Sequence, residues 1–137
     1  MPAYTDQTAI EAEVPPAHLT DGLDDDGDGV ADEGRLDQLI ANAATEIDGM
    51  LGSIYTVPFE DPPALVQHAA LVFVCENIYR RRERMGDRNP YSGEASRLRM
   101  RLEAIGAGKA PLVASEARVN TPGAAITETS RLGGFTG

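Results

Sequence analysis

Apolar residues recur along this chain at helical spacing in three long stretches. The first runs from about Glu33 to Gly52. Leu36, Leu39, Ile40, Ala43, Ile47, Met50 and Leu51, with Ile54 just beyond, share one side of a 3.6-residue helix, while Asp37, Asn42, Thr45, Glu46 and Asp48 fall largely elsewhere. Asp32 is placed to cap that helix, and Glu33 suits its positive start. The second stretch runs from about Pro63 to Arg84. Residues 64–75 are almost wholly apolar, which predicts the most buried element of the fold. The third spans Ser92 to Ile105, with Ala95, Leu98, Leu102 and Ile105 as its buried stripe and Arg97, Arg99 and Arg101 expected mostly outward; Gly106 and Gly108 stop it. A shorter helix is expected over residues 5–13, capped by Thr5 or Asp6 and ended by Pro15-Pro16, after which 17–31 reads as loop. Three prolines between Pro58 and Pro63 make 55–63 an extended connector, with Asp61 capping the helix that follows.

These elements predict an all-α fold: a small bundle of three to four helices over residues 1–109, with an acidic loop at 21–32, and an extended C-terminal tail over 110–137. Leu112, Val113, Val119, Ile126, Leu132 and Phe135 are spaced singly along that tail, which suits either docking on another subunit or a disordered terminus. The length of 137 residues suits one domain, and the absence of tryptophan makes its core aliphatic. No apolar run reaches the length needed to span a bilayer, and the N-terminus lacks a basic segment followed by an apolar one, so neither a membrane span nor a signal peptide is expected. The single cysteine, Cys75, excludes an internal disulfide framework; within its apolar run it is expected to be buried and inert.

Charge is unevenly placed. The net charge is −10, yet residues 1–61 hold fifteen acids and one base (−14), residues 62–109 five acids and nine bases (+4), and residues 110–137 two of each. If the poles fall on different faces, they would steer association between copies and fix its register; otherwise they are solvated charged faces. The acidic pole peaks at Asp24-Asp25-Asp26-Gly27-Asp28-Gly29-Val30-Ala31-Asp32. Asp24, Asp26 and Asp28 stand where a calcium loop has positions 1, 3 and 5. Gly29 stands at 6, the Val30 carbonyl at 7 and Asp32 at 9. Position 12, a bidentate Glu in an EF-hand, is here Arg35. Two readings of the loop therefore stand: a calcium site that is not a regulatory EF-hand, or a solvated acidic turn.

The basic pole is arginine-rich. Arg80, Arg81, Arg82, Arg84, Arg88, Arg97, Arg99 and Arg101 hold eight of the twelve bases. Such a patch suits the acidic half of a neighbour or non-specific contact with passing DNA, but no aromatics interleave to stack bases. Arg80, Arg81, Arg82, Arg84, Arg97, Arg99 and Arg101 are the candidate interaction residues. Catalytic residues are not expected. His18 and His68 lie in different elements, with His68 reading as a satisfied core histidine, and no phosphate cradle, Cys/His cluster or nucleophile elbow is present.

The order of the motifs resembles the Mu-like phage head–tail adaptor, or head–tail connector, family. It is carried by Tyr4-Thr5, by Leu19-Thr20-Asp21 leading into the Asp/Gly loop, and by Ala44-Thr45-Glu46-Ile47-Asp48-Gly49-Met50-Leu51. Tyr55-Thr56-Val57-Pro58-Phe59 before Pro62-Pro63, Ile78-Tyr79-Arg80-Arg81-Arg82, and Ala104-Ile105-Gly106-Ala107-Gly108-Lys109 complete it. The likeness covers roughly residues 3–112, with Gly22-Leu23 inserted ahead of the Asp loop. It implies a non-catalytic helical subunit that forms a ring of about twelve copies between portal and tail, with closed rotational symmetry. Its partners would be other copies, the portal protein and a downstream neck or tail protein, with packaged DNA passing through. Such a subunit is made in the bacterial cytoplasm and resides in the virion neck. Two other functions fit the residues: a calcium-binding protein-interaction module and a DNA-binding regulator.

Overall fold

The computed structural model describes residues 3–82 and 88–112. Among them five helices follow in order, with no strand: α1 Gln7–Glu13, α2 Pro16–Leu23, α3 Arg35–Leu51, α4 Ala64–Arg81 and α5 Ser92–Gly106. The expected all-α bundle forms, with one helix more than the apolar spacing indicated. The expected tail beyond residue 112 lies outside the described residues.

The extra helix is α2, in a segment expected to be loop. Pro15-Pro16 does end α1: Val14, before the first proline, is extended at φ −109° and ψ 124°, as a pre-proline residue prefers. The same pair also begins α2, with Pro15 as N-cap and Pro16 in the first turn, where its missing N–H costs nothing. α2 then lies close against α4. A Cβ on Gly22 would stand 2.6 Å from the Ile78 carbonyl oxygen, so only glycine permits the approach.

Two expected caps fall elsewhere. α3 begins at Gly34, whose φ of +79° favours glycine, rather than at Asp32. Asp32 is used by the loop: its backbone N–H donates to the Leu23 carbonyl at 2.8 Å and its carboxylate accepts the Asp25 N–H at 3.1 Å. α4 is entered through Pro63 without a side-chain cap, so Asp61 does not serve as one. Asp6 does cap α1, accepting the Ala9 N–H at 2.9 Å.

α4 is the central element, packed against α1, α2, α3 and α5. That position explains its near-continuous apolar sequence, with Val66, Ala69, Ala70, Phe73, Val74, Cys75 and Ile78 all buried. α3 contributes Leu39, Ile40, Ala43, Ala44, Ile47 and Leu51 to the core, and α5 contributes Ala95, Leu98, Leu102 and Ile105. α5 meets α3 so closely that a side chain on Gly106 would collide with the Met50 carbonyl.

The connector after α3 adds an aromatic corner to the same core. Tyr4, Tyr55 and Phe59 are buried together, with Phe59 6.1 Å from the Tyr4 ring and 6.2 Å from the Tyr55 ring. The Tyr4 hydroxyl donates to Asp48 at 2.6 Å and accepts the Phe59 N–H at 2.9 Å, tying the residues before α1 to both α3 and the connector. Leu112 closes this cluster: it is buried, and its N–H donates to the Tyr55 hydroxyl at 3.3 Å.

Candidate functional site

The acidic loop is an eight-residue excursion between the end of α2 and Asp32, closed at its base by the Asp32–Leu23 backbone bond. Inside it the carboxylates order the backbone. Asp24 accepts the N–H groups of Gly27 at 2.8 Å, Asp28 at 3.3 Å and Gly29 at 2.7 Å. Asp26 accepts Asp28 N–H at 3.2 Å, and Asp28 accepts Val30 N–H at 2.9 Å. Gly27 and Gly29 make the bends with φ of +79° and +83°.

The result brings Asp24, Asp26, Asp28 and Asp32 together, with one carboxylate oxygen from each lying within 4.8 Å of the others. These are the four acids that the spacing singled out. Val30, the fifth candidate ligand, is tied through its amide and is 63 % exposed at its side chain. Two oxygens on one calcium, each at about 2.4 Å, stand at most about 4.8 Å apart, so these four acids are near enough to hold one such ion. The all-oxygen donor set fits calcium rather than a soft metal. Desolvation raises the Asp24 carboxyl, but the Gly29 amide, the Asp26 carboxyl and the Gly27 and Asp28 amides outweigh it and hold it below the usual carboxylate range. Asp26 is pushed the other way, chiefly by its hydrogen bond with Asp24. A cation seated here would neutralise the crowded carboxylates.

Asp25 faces away from this cluster. It pairs with Arg81 through a short contact and with Arg35 at 2.8 Å, and the Arg81 hydrogen bond holds its carboxyl below the ordinary range. Arg81 also donates to the Gly22 carbonyl at 2.8 Å, and Arg82 pairs with Asp21 at 3.3 Å. The loop is thereby fastened to the end of α4 and the start of α3.

The seven candidate arginines divide by this geometry. Arg81 and Arg82 hold the loop. Arg80 pairs with Glu76 at 3.2 Å on the α4 surface. Arg99 departs from the outward orientation expected of it. It donates to Glu46 at 2.6 and 3.4 Å and to Glu76 at 2.8 and 3.3 Å, and it lies 4.5 Å from the Phe73 ring centre. Its hydrogen bonds to Glu46 and then Glu76 raise its pKa further, so it stays charged. Arg97 and Arg101 are exposed, with no ion pair among the described residues. Arg84 lies outside the described residues.

The histidines also differ from expectation. His68 is half-exposed and bonds Glu94 of α5 at 2.7 Å rather than sitting in the core. His18 lies in α2 and bonds the Tyr79 hydroxyl at 2.7 Å. Cys75 is buried, and burial pushes its thiol up to about 12. The Glu46–Arg99–Glu76 network escaped sequence reasoning, although one signal pointed to it: Glu76 is the lone acid of α4 and directly follows the apolar run Ala69–Cys75, and a buried acid requires a cation.

The fold and its polar features define a small all-α protein with a carboxylate loop fastened at one end and an arginine bridge across its three longest helices. A family model described as Bacteriophage Mu, Gp36 matches residues 4–129, and the chain belongs to that family of phage proteins. No curated protein matches it. Among the described residues, no helix is long and apolar enough to cross a membrane.

Proposed function

We propose that this protein is a structural head–tail connector subunit of a tailed phage or phage-like particle. Copies form a ring of about twelve around the DNA channel. One face meets the portal protein and the other a downstream neck or tail protein, so its place is the virion neck and its work is done by geometry rather than catalysis. The observation that carries this reading is the family match, which runs through nearly the whole chain. A helical unit whose α5 keeps Arg97 and Arg101 exposed, with no ion pair among the described residues, supports it. Electron microscopy of particles labelled with an antibody to this chain tests it. Label is expected at the single vertex where the tail joins; label on the shell, or none on particles, refutes it.

The four clustered carboxylates favour calcium as a structural pin within the loop, held by Asp24, Asp26, Asp28 and Asp32, rather than as a signal. A ligand at a hundredfold its dissociation constant stabilises a fold by about 2.7 kcal/mol. Calcium is therefore expected to raise the melting temperature by several degrees, reversed by a chelator, without exposing dye-binding apolar surface. A large calcium-dependent rise in dye binding would instead favour a calcium-switched interaction module, and an unchanged melting temperature would remove the ion altogether.

A further inference from the structure

α5 carries an outward strip that no other described residue covers. Met100 is 67 % exposed, the larger exposure of the two large apolar residues left open among the described residues. Arg97 and Arg101, one turn apart, lie to one side of it, both exposed and both without an ion pair among the described residues, and the exposed Glu103 lies to its other side. Like charges at this spacing repel along an isolated helix, and an open methionine gains nothing from water. The strip has the composition of a contact surface, an apolar knob beside two cations.

A complementary surface exists elsewhere on the same subunit. A groove of about 400 Å³ opens between α1, α2 and the start of α3, with Leu19, Leu23 and Leu36 along it and the exposed acids Glu11 and Asp37 at its sides. Asp37 has no ion pair among the described residues. The groove and the strip cannot meet within one subunit. The groove is at the first turn of α3, whereas α5 lies against the far end of α3, at Glu46, Met50 and Ser53. Leu36 and Met50 are fourteen residues apart on one helix, which is about 21 Å along its axis.

We propose that the α5 strip of one subunit docks in the α1–α2–α3 groove of a second copy, with Met100 entering the groove and Arg97 and Arg101 facing Glu11 and Asp37. This rests on the ring proposed above and names the surfaces that make it. The contact is heterologous: each copy offers its strip to one neighbour and its groove to another, so repetition closes a ring when the rotation allows. The arginine stems lie along the apolar floor while their heads reach the acids at its edge.

The test uses two full-length variants, Arg97→Glu/Arg101→Glu and Glu11→Arg/Asp37→Arg. All four positions are exposed, so both variants should melt with the wild type. Sedimentation across concentration and salt is the readout. Wild type is expected to self-associate at low salt and less at high salt, each variant alone to lose the assembled species, and an equimolar mixture to regain it, because the reversed strip then faces a reversed groove. Variants that assemble like wild type, or a mixture that stays dissociated, overturn these surfaces. A wild-type chain that remains monomeric throughout overturns the contact as well. The neck role is judged separately, by whether antibody marks the tail-joining vertex of particles.

Discussion

Replacing Arg99 with methionine should reveal how far the bundle depends on one partly exposed cation. Arg99 supplies two hydrogen bonds to Glu76 and two to Glu46. The two acids differ in their access to water. Glu46 is 39 % exposed at its side chain and can be resolvated, whereas Glu76 is 9 % exposed and cannot. Breaking a buried pair by removing one partner costs about 3–5 kcal/mol. Arg80 remains 3.2 Å from Glu76 but is itself 56 % exposed, so it offsets only part of the loss. Loss of the contact with the Phe73 ring adds about 0.5–1 kcal/mol. The expected cost for Arg99→Met is therefore about 3 kcal/mol, a large share of the roughly 5–15 kcal/mol that holds a domain folded. Urea unfolding followed by circular dichroism measures it as a lower midpoint at unchanged slope. Glu46→Gln should cost less than about 1 kcal/mol, the scale of an exposed pair. The double variant Arg99→Met/Glu76→Met removes the stranded charge and should recover most of the loss, since an apolar pair can replace a buried ion pair. An Arg99→Met protein within about 0.5 kcal/mol of wild type, or a double variant whose loss equals the sum of the singles, would refute this account of the network.

Three further outcomes follow from the packing and the ionisable groups. Gly106→Ala should cost more than about 2 kcal/mol, because its Cβ meets the Met50 backbone, whereas Gly49→Ala, with nothing within 4 Å, should stabilise α3 by about 0.5–1 kcal/mol; thermal melts of the two should shift in opposite directions. Leu112→Ala should cost about 2–4 kcal/mol in the same assay, as expected for a leucine that is only 2 % exposed and lies in the aromatic corner of the core. Alkaline titration should destabilise the fold: burial, then the bond to Asp48, raises Tyr4 from 10.0 to about 12, and burial raises Cys75 from 9.0 to about 12. Both favour the protonated form in the folded state. Their contribution is thus complete below pH 9, and it is lost as pH rises to about 12, with Tyr4 alone carrying about 2–3 kcal/mol. Urea midpoints should fall across that window, and Tyr4→Phe should make the fall above pH 10 shallower without abolishing it, because Cys75 and Tyr91, both raised by burial, still titrate there; an unchanged midpoint counts against the buried environments assigned to these groups.

The long helices were legible because their burial is one-sided or complete, and both patterns leave a periodic or continuous apolar signal in α3, α4 and α5. α2 was not legible. Its eight residues offer only Leu19 and Leu23 as large apolar points, and it holds its place partly through the absence of a side chain at Gly22, which no hydropathy pattern records. The carboxylate cluster could be seen because its acids are local and alternate in sequence. Other roles depend on distant partners. Asp32 looks like a helix cap until the Asp25 amide claims it, and Arg99 looks like a solvated charge until Glu46 and Glu76 converge on it from two other helices.

In the loop, Asp24, Asp26 and Asp28 turn inward together, whereas Asp25 between them turns out to Arg35 and Arg81. Identity at each position therefore matters less than parity. Removing one residue between Gly22 and Asp25 would hand the outward task to an inward acid and swing the others toward solvent, though the number of carboxylates would scarcely change. Loop length is consequently the constrained quantity, and related chains should tolerate Asp-to-Asn exchanges here more readily than single-residue insertions or deletions.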